Sequence, residues 1–306
     1  MPDRHSKPPR IAVVGIPGKW STEVLADALE ARTGFRAVVD MAEVSLDLSR
    51  GALICSPPGY GELNLCDLDG IIVKKISAQY SPNTLDRLAL LRTAEQAGVR
   101  VFSPVASMEG LVNRLHCTLA LQHAAIPMPE TFITESIDAA LDAVTRFGGA
   151  VFKPLFSTKA RGMLLLDSSD DPTALRNTIE TFRSDNPLMY IQRKVELPGR
   201  DLGMVFLGGR YLGTYARVNQ GDSWNTTINS GGRYAEVQPD PALIELGQRA
   251  QAPFNMDFTT VDIAETDCGP IVFEVSAFGG FRGALEGAGV DAAAHYADYA
   301  LEQLTR

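Results

Sequence analysis

The stretch Val261-Asp262-Ile263-Ala264-Glu265-Thr266-Asp267-Cys268-Gly269-Pro270-Ile271-Val272-Phe273-Glu274-Val275-Ser276 decides how this chain folds. Two apolar runs flank a polar segment that contains glycine and proline, which is the pattern of a β-hairpin. Asp262 and Glu274 lie six residues before and after Cys268, so the hairpin places them nearly opposite each other. Both point to one face of the sheet because strand side chains alternate with a period of two.

This carboxylate pair predicts a metal site. Two ionised carboxylates that face each other among apolar residues repel one another and lose solvation, so they stay ionised cheaply only with a cation between them. Mg²⁺ suits one or two such carboxylates and completes its shell with waters and phosphates. The alternative is a one-sided hairpin on which Asp262 or Glu274 simply faces water. The spacing alone leaves both interpretations open.

The composition is that of an ordinary globular protein, with 306 residues, 45% hydrophobic residues and 21% charged residues. This length predicts two or three subdomains around one cleft. The net charge of −9 argues against nucleic-acid binding. We see no signal peptide, no apolar run of about 20 residues and no metal-binding cysteine spacing. We therefore expect a cytoplasmic protein with no membrane or nucleic-acid partner.

The first hundred residues alternate strands with helices and predict a small open sheet with parallel pairing. The turn at residues 15–21 leads to a helix that we expect Ser21 to cap. This turn lacks the Walker spacing, so we interpret it as an ordinary connection, with an anion site at the helix N-terminus as the alternative. Lys74 and Lys75 end a later strand, where ligands often approach such sheets, but we favour a solvated pair.

The chain after Pro104 predicts further units. We expect one helix over residues 108–125, then a strand that ends at Lys153 and is followed by a basic loop at 156–162 and a returning strand. An inward lysine beside such a loop is typical of a phosphate lid, although a solvated hairpin tip has the same pattern. The polar loop at 219–232 is too long for a simple connection.

The order of these motifs resembles the ATP-grasp superfamily and, within it, the RimK-like carboxylate–amine ligases. The segments that carry the resemblance are Asn113-Arg114, Ile126-Pro127-Met128-Pro129-Glu130-Thr131, Lys153-Pro154-Leu155, Gln192-Arg193-Lys194-Val195, Pro198-Gly199-Arg200-Asp201 and the Asp262…Glu274 pair. The resemblance implies an α/β fold with a Rossmann-like domain at residues 10–105, followed by ATP-grasp subdomains at 106–187 and 188–306. The basic loop also resembles the ATP-grasp branch of the bacterial GAK gene system.

The resemblance also implies a site for ATP and Mg²⁺, with Mn²⁺ as a substitute. Arg114, Lys153, Lys159 and Arg161 would bind the phosphates, and the hinge Gln192, Arg193, Lys194 and Val195 would meet the adenine. Asp201 would face the ribose or the substrate. The metal ligands would be Asp262, Glu274 and Ser276, and the catalytic residues Lys153 and Arg217.

The activity that this family implies is transfer of the γ-phosphate to a carboxylate, followed by attack of an amine on the acyl phosphate. The partners would be small-molecule or peptide carboxylates and amines, and homo-oligomerisation is left open. Ser276 replaces an asparagine ligand of the family and Gly203 replaces an arginine, which argues against the family's acidic amino-acid substrate. Two alternatives stay open: a nucleotide-binding regulatory protein with lost or altered turnover, and an ATP-grasp kinase.

Overall fold

The structure is a computed structural model that describes residues 7–158, 160–219 and 231–305. Its helices are α1 Trp20–Thr33, α2 Asn83–Gln96, α3 Val105–Val112, α4 Arg114–His123, α5 Ile137–Phe147, α6 Pro172–Asp185, α7 Pro241–Gln251, α8 Phe281–Ala288 and α9 Ala292–Leu304. Its strands are β1 Ile11–Val14, β2 Val38–Val39, β3 Ser45–Asp47, β4 Ala52–Cys55, β5 Leu63–Asn64, β6 Gly70–Val73, β7 Arg100–Phe102, β8 Thr131–Thr134, β9 Gly149–Lys153, β10 Leu164–Asp167, β11 Met189–Arg193, β12 Arg200–Leu207, β13 Arg210–Val218, β14 Arg233–Glu236, β15 Phe258–Thr266 and β16 Gly269–Ser276.

The first sheet has the strand order β2-β1-β6-β7, and every pairing in it is parallel. The predicted parallel pairing is therefore confirmed. All four residues of β1 and of β6 are buried, which explains why these strands appear in the sequence as continuous apolar runs. A separate antiparallel sheet of β3, β4 and β5 was not predicted, because strands of two to four residues are too short to display an alternating pattern.

Two helix predictions are wrong. Helix α1 begins at Trp20 after Lys19 and has no side-chain cap, so Ser21 lies inside the helix instead of capping it. The predicted single helix over residues 108–125 is broken at Asn113, whose backbone is extended and whose side chain accepts a hydrogen bond from the amide of Leu115 (3.0 Å). Asparagine favours this N-cap geometry. The break makes Arg114 the first residue of α4.

The second sheet has the order β10-β9-β11-β8 and is antiparallel throughout. Helices α5 and α6 cover one of its faces through a compact core that includes Ala140, Phe152 and Ile179. Strand β11 belongs to this sheet, so the sheet continues beyond residue 187, where we placed a domain boundary. The domain boundaries at residues 105 and 187 stay predictions.

The third sheet, ordered β14-β13-β12-β15-β16, is antiparallel and contains the predicted hairpin, whose strands β15 and β16 carry Asp262 and Glu274. Helix α7 packs against the face that carries Met204 and Phe206. Helices α8 and α9 share a core with Val205 and Tyr215 on the opposite face. Among the described residues, no helix is long and apolar enough to cross a membrane.

Candidate functional site

One row of residues crosses four strands of the third sheet and organises the site. Tyr215 pairs with Gly203, Gly203 with Asp262, and Asp262 with Glu274. Paired residues on neighbouring strands point to the same face of a sheet. The predicted facing of Asp262 and Glu274 is thereby confirmed. The row opens into a cleft of about 880 Å³ that the parallel sheet, the second sheet and the third sheet all help to line.

The cleft gathers every predicted site residue that the structure describes. These residues are Arg114, Lys153, Arg161, Gln192, Arg193, Lys194, Val195, Asp201, Arg217, Asp262, Glu274 and Ser276. Lys159 lies outside the described residues, as does most of the loop at 219–232. Gathering the residues in one cleft does not assign their roles, which stay predictions.

Each carboxylate of the pair is held by an arginine. Arg217 lies 3.1 Å from Asp262, between Nη2 and Oδ1, and also binds Asp201 with both Nε and Nη2. Arg114 donates from Nη1 to Glu274 Oε2 at 2.9 Å. Positive charge therefore reaches the pair from both sides, and the magnesium site between its members stays a prediction.

The two carboxylates nevertheless differ in their electrostatics. Burial raises the pKa of Asp262 to about 7; Arg217 opposes this shift, and the negative charges of Glu274 and Asp201 add to it. Burial also acts to raise the pKa of Glu274, but Arg114 and Lys153 outweigh it and leave that pKa below its ordinary value. The side of the pair nearer Arg114 and Lys153 is therefore the more firmly ionised.

The oxygens around this pair fit a magnesium ion. Ser276 Oγ donates to Glu274 Oε1 at 3.3 Å, and Ser276 lies two residues beyond Glu274 on the same strand and face. Two carboxylates and a hydroxyl are hard oxygen ligands that leave most of an octahedral shell to phosphates and water. Within the described part of the chain, no three His, Cys, Asp or Glu side chains cluster into a fuller metal cage.

The end of β9 places a lysine inside the cleft. Lys153 is 9% exposed, and its Nζ donates to Gln192 Oε1 at 2.5 Å. Gln192 is fixed in turn, since its Nε2 donates to Thr131 Oγ1 (3.0 Å) and to the Tyr190 hydroxyl (3.2 Å). Burial and the nearby Arg114 lower the pKa of Lys153 to about 7. An anion bound beside this lysine would restore its full charge.

Several other predicted cations are engaged at the surface. Arg193 pairs with Glu130 at 2.5 Å, and Lys194 pairs with Glu196 at 2.6 Å. Arg161 reaches across from the basic loop and donates to the carbonyl of Ala78 at 3.4 Å. The basic loop therefore contacts the N-terminal part of the chain over the cleft.

The prediction that Lys74 is solvated is wrong. We favoured a solvated lysine, but Lys74 is 4% exposed and lines the cleft. Its Nζ donates to the carbonyls of Phe278 (2.6 Å) and Gly279 (3.4 Å) and lies 4.3 Å from the centroid of the Phe281 ring. Burial lowers its pKa to about 7. The sequence did contain one signal for this placement. Lys74 directly follows the parallel strand β6, and ligands approach such sheets at the carboxyl ends of their strands.

Tyr215 was missed altogether. Gly203 stands where the family pattern has an arginine, and the neighbouring space is filled by Tyr215: a Cβ atom added to Gly203 would lie 2.3 Å from Tyr215 Cζ. The two residues are paired across strands but lie 12 positions apart in the chain. Local sequence patterns do not reveal such a substitution, because it depends on strand register.

The comparisons with known proteins agree with this geometry. The model of the RimK-like ATP-grasp domain matches residues 112–300, which is more than half of the chain. The chain therefore belongs to the RimK-like ATP-grasp family, and it is an enzyme of the ATP-dependent carboxylate–amine ligase class. The predicted family, fold class and enzyme class are confirmed. The closer resemblance to the GAK branch stays a prediction.

Named relatives and solved structures support the same assignment. The tetrahydromethanopterin:alpha-L-glutamate ligase of Methanosarcina acetivorans is 28% identical over 259 residues, covering 81% of this chain and 80% of the relative. A probable alpha-L-glutamate ligase of Pectobacterium carotovorum is 24% identical, and the alignment covers 97% of this chain and 96% of the relative. The ATP-grasp ligase PsnB, solved with a minimal precursor, Mg and ADP, has a TM-score of 0.69 at 18% identity and covers 97% of this chain and 98% of its own.

Proposed function

We propose that the chain is a Mg-ATP-dependent ligase that activates a carboxylate as an acyl phosphate and joins it to an amine. The observation that carries this proposal is the shared cleft: Asp262 and Glu274 face each other within reach of Arg114 and alongside the buried Lys153. A nucleotide-binding scaffold has no need of a desolvated carboxylate pair. A ligase needs one, because Asp262 and Glu274 would hold a metal that neutralises phosphate charge.

The nucleotide would be held at the Lys153 side of the cleft. Arg114 and Lys153 supply the positive charge that a triphosphate requires in a closed site. Mg²⁺, when bound at Asp262, Glu274 and Ser276, would neutralise the charge that develops on the transferring phosphate. The backbone between Gln192 and Val195 would border the adenine. Arg217, fixed by Asp201, would face the reacting carboxylate from the other side of the pair.

The chemistry that we propose has two steps. A carboxylate oxygen attacks the γ-phosphorus, the bond from that phosphorus to the β,γ-bridging oxygen breaks, and ADP leaves. The amine nitrogen then attacks the acyl carbon, the bond from that carbon to the phosphate oxygen breaks, and phosphate leaves with the electron pair while the surplus amine proton passes to water. The residues of the chain position the reactants and stabilise charge, so no covalent nucleophile from the protein is required.

L-glutamate is the first substrate to test because of the names of the relatives, although Gly203 in place of the family's arginine argues against an acidic amino acid. Relatives at 24–28% identity are named as alpha-L-glutamate ligases. L-glutamate also carries both a carboxylate and an amine, so alone it can serve as donor and acceptor. A precursor peptide is the second choice, because PsnB was solved with one.

The test incubates the protein with Mg-ATP and L-glutamate and follows ADP, phosphate and product mass together. We expect equal amounts of ADP, phosphate and amide, and loss of all three in Lys153→Ala. ADP without free phosphate would identify a kinase instead. Nucleotide binding with no ADP release for L-glutamate or for a panel of peptide carboxylates would contradict the ligase and favour a regulatory protein.

A further inference from the structure

Tyr215 occupies a position that the proposed mechanism does not yet use. It lies in the row that runs from Glu236 through Tyr215, Gly203 and Asp262 to Glu274. Gly203 has no side chain, so the phenol ring bends over it toward the Asp262 strand. A Cβ on Gly203 would meet Cζ at 2.3 Å and the hydroxyl oxygen at 2.6 Å. The hydroxyl therefore lies above Gly203, the immediate neighbour of Asp262.

Glycines of α8 close the other side of the ring. A Cβ on Gly283 would lie 2.4 Å from Tyr215 Cζ, and a Cβ on Gly287 would lie 2.5 Å from Tyr215 Cβ. Tyr234 adds an edge contact, with ring centroids 5.3 Å apart and planes at 90°. Three glycines and one aromatic ring thus form a cage in which the phenol has little freedom. Such rigid placement is what a substrate-contacting group requires.

Among residues 7–158, 160–219 and 231–305, the Tyr215 hydroxyl makes no hydrogen bond. Tyr215 is 3% exposed, yet it lines the cleft. Burial raises the pKa of this phenol, so it stays protonated and can donate. Because Tyr215 lines the cleft, an oxygen of a bound substrate can accept a hydrogen bond from this hydroxyl.

We infer that Tyr215 is a specificity-determining residue whose hydroxyl donates a hydrogen bond to an oxygen of the carboxylate that is being activated beside Asp262. This inference rests on the proposed ligase function and adds to it. The carboxylate would lie between a neutral donor on one side and the carboxylate pair with its metal on the other. The phenol is neutral and adds no positive charge at this end of the cleft. Position 203 carries glycine rather than arginine, so it offers no guanidinium to pair with a second anionic group of the substrate.

The test compares Tyr215→Phe with the unchanged protein, using Mg-ATP and L-glutamate as the probe. The phenylalanine ring keeps the cage filled and removes only the hydroxyl. We expect kcat/KM for L-glutamate to fall about 10- to 100-fold, which is the usual cost of losing one hydrogen bond to a charged group. The affinity for Mg-ADP and the thermal unfolding midpoint should change little, which separates substrate contact from a structural role.

Tyr211→Phe is the matched control. Tyr211 lies on the same strand, packs with the core on the opposite face of the sheet, and shares a hydrogen bond with the Thr214 hydroxyl at 2.8 Å. We expect it to retain turnover within about twofold. Equal turnover of Tyr215→Phe and the unchanged protein would overturn the inference alone. No ADP release by the unchanged protein, either with L-glutamate or with the panel of peptide carboxylates, would overturn the proposed function and the inference together.

Discussion

The two ends of the cleft are built in different ways. We call Arg114, Lys153 and Gln192 the nucleotide end. We call Lys74, Tyr215 and Arg217 the acceptor end, because the carboxylate proposed to bind there accepts the phosphoryl group of ATP. At the nucleotide end, Lys153 is held by a neutral amide, and Arg114 by one carboxylate and neutral oxygens. At the acceptor end, Arg217 is locked between Asp201 and Asp262, and Lys74 is anchored on two loop carbonyls.

This difference indicates which end is prepared for an anion. The pKa of Lys153, lowered by burial, would rise again beside a triphosphate. The cations of the acceptor end already serve Asp201, Asp262 and the loop after Ser276. Among the described residues of this end, the neutral hydroxyl of Tyr215 has no such partner and can serve a substrate beside Arg217. We therefore expect mutations at the two ends to have separable effects on nucleotide and acceptor.

The largest effect is expected at Glu274, where the two ends meet. Glu274→Gln keeps the shape and an oxygen that can accept from Arg114, but it removes the charge that would hold the metal. We expect ADP and phosphate release with L-glutamate to fall about 1,000-fold, equivalent to about 4 kcal/mol of transition-state stabilisation.

The control for this variant lies on the same hairpin. Glu265→Gln also removes a carboxylate paired with an arginine, since Glu265 lies 2.8 Å from Arg200, but that pair stands outside the cleft. We expect its turnover to remain within about twofold. Equal losses in the two variants would mean that hairpin stability, rather than a metal site, explains the result.

The second effect concerns nucleotide binding and its pH dependence. Because the pKa of Lys153 is about 7 in the free cleft, the side chain is mostly neutral at pH 8. A bound triphosphate raises that pKa, so the complex holds more protons than the free protein. Nucleotide affinity should therefore weaken as the pH rises from 7 toward 10, and binding at pH 8 should take up about one proton.

Calorimetry at pH 8 in two buffers of different ionisation enthalpy measures this uptake directly. Lys153→Met should abolish most of the uptake and weaken ATP binding about 10- to 100-fold. Tyr215→Phe, at the other end of the cleft, should leave both quantities unchanged. An uptake that persists in Lys153→Met would assign the proton to a different group and remove the contrast between the two ends.

The smallest effect is expected at Ser276, which stands where the family has an asparagine as metal ligand. Ser276→Asn replaces a short hydroxyl with an amide oxygen that reaches farther toward Asp262 and Glu274. We expect the Mg²⁺ concentration that gives half-maximal turnover to fall by about two- to fivefold. A large loss of turnover would show that the site is shaped for serine and that asparagine overfills it.

Much of the nucleotide end could be predicted from the sequence. Lys153 ends an apolar strand beside a basic loop, and the hairpin spacing predicts Asp262 nearly opposite Glu274, a pairing that a register shift between Asp262 and Ile263 completes. These signals are local, because each depends on one strand or one turn. The family pattern added their order along the chain. The paired arginines around the carboxylates could not be predicted in the same way, since Arg217 approaches from another strand.

The acceptor end could not be predicted for a physical reason. Lys74 is buried only because the loop after Ser276, some 200 residues later, presents its carbonyls to it. Tyr215 fills the space above Gly203 only because strand register makes them neighbours. The break at Asn113 likewise depends on its capping of Leu115 against an otherwise continuous helical pattern. Such features follow from tertiary contacts rather than from local pattern.

The central claim, activation of a carboxylate as an acyl phosphate, has one direct test. L-glutamate labelled with ¹⁸O in its carboxylates is incubated with Mg-ATP and the protein, and the released phosphate is analysed by mass. We predict one ¹⁸O atom in the phosphate for each amide bond formed, because the attacking carboxylate oxygen leaves with the phosphate. Amide formation with unlabelled phosphate would contradict the account.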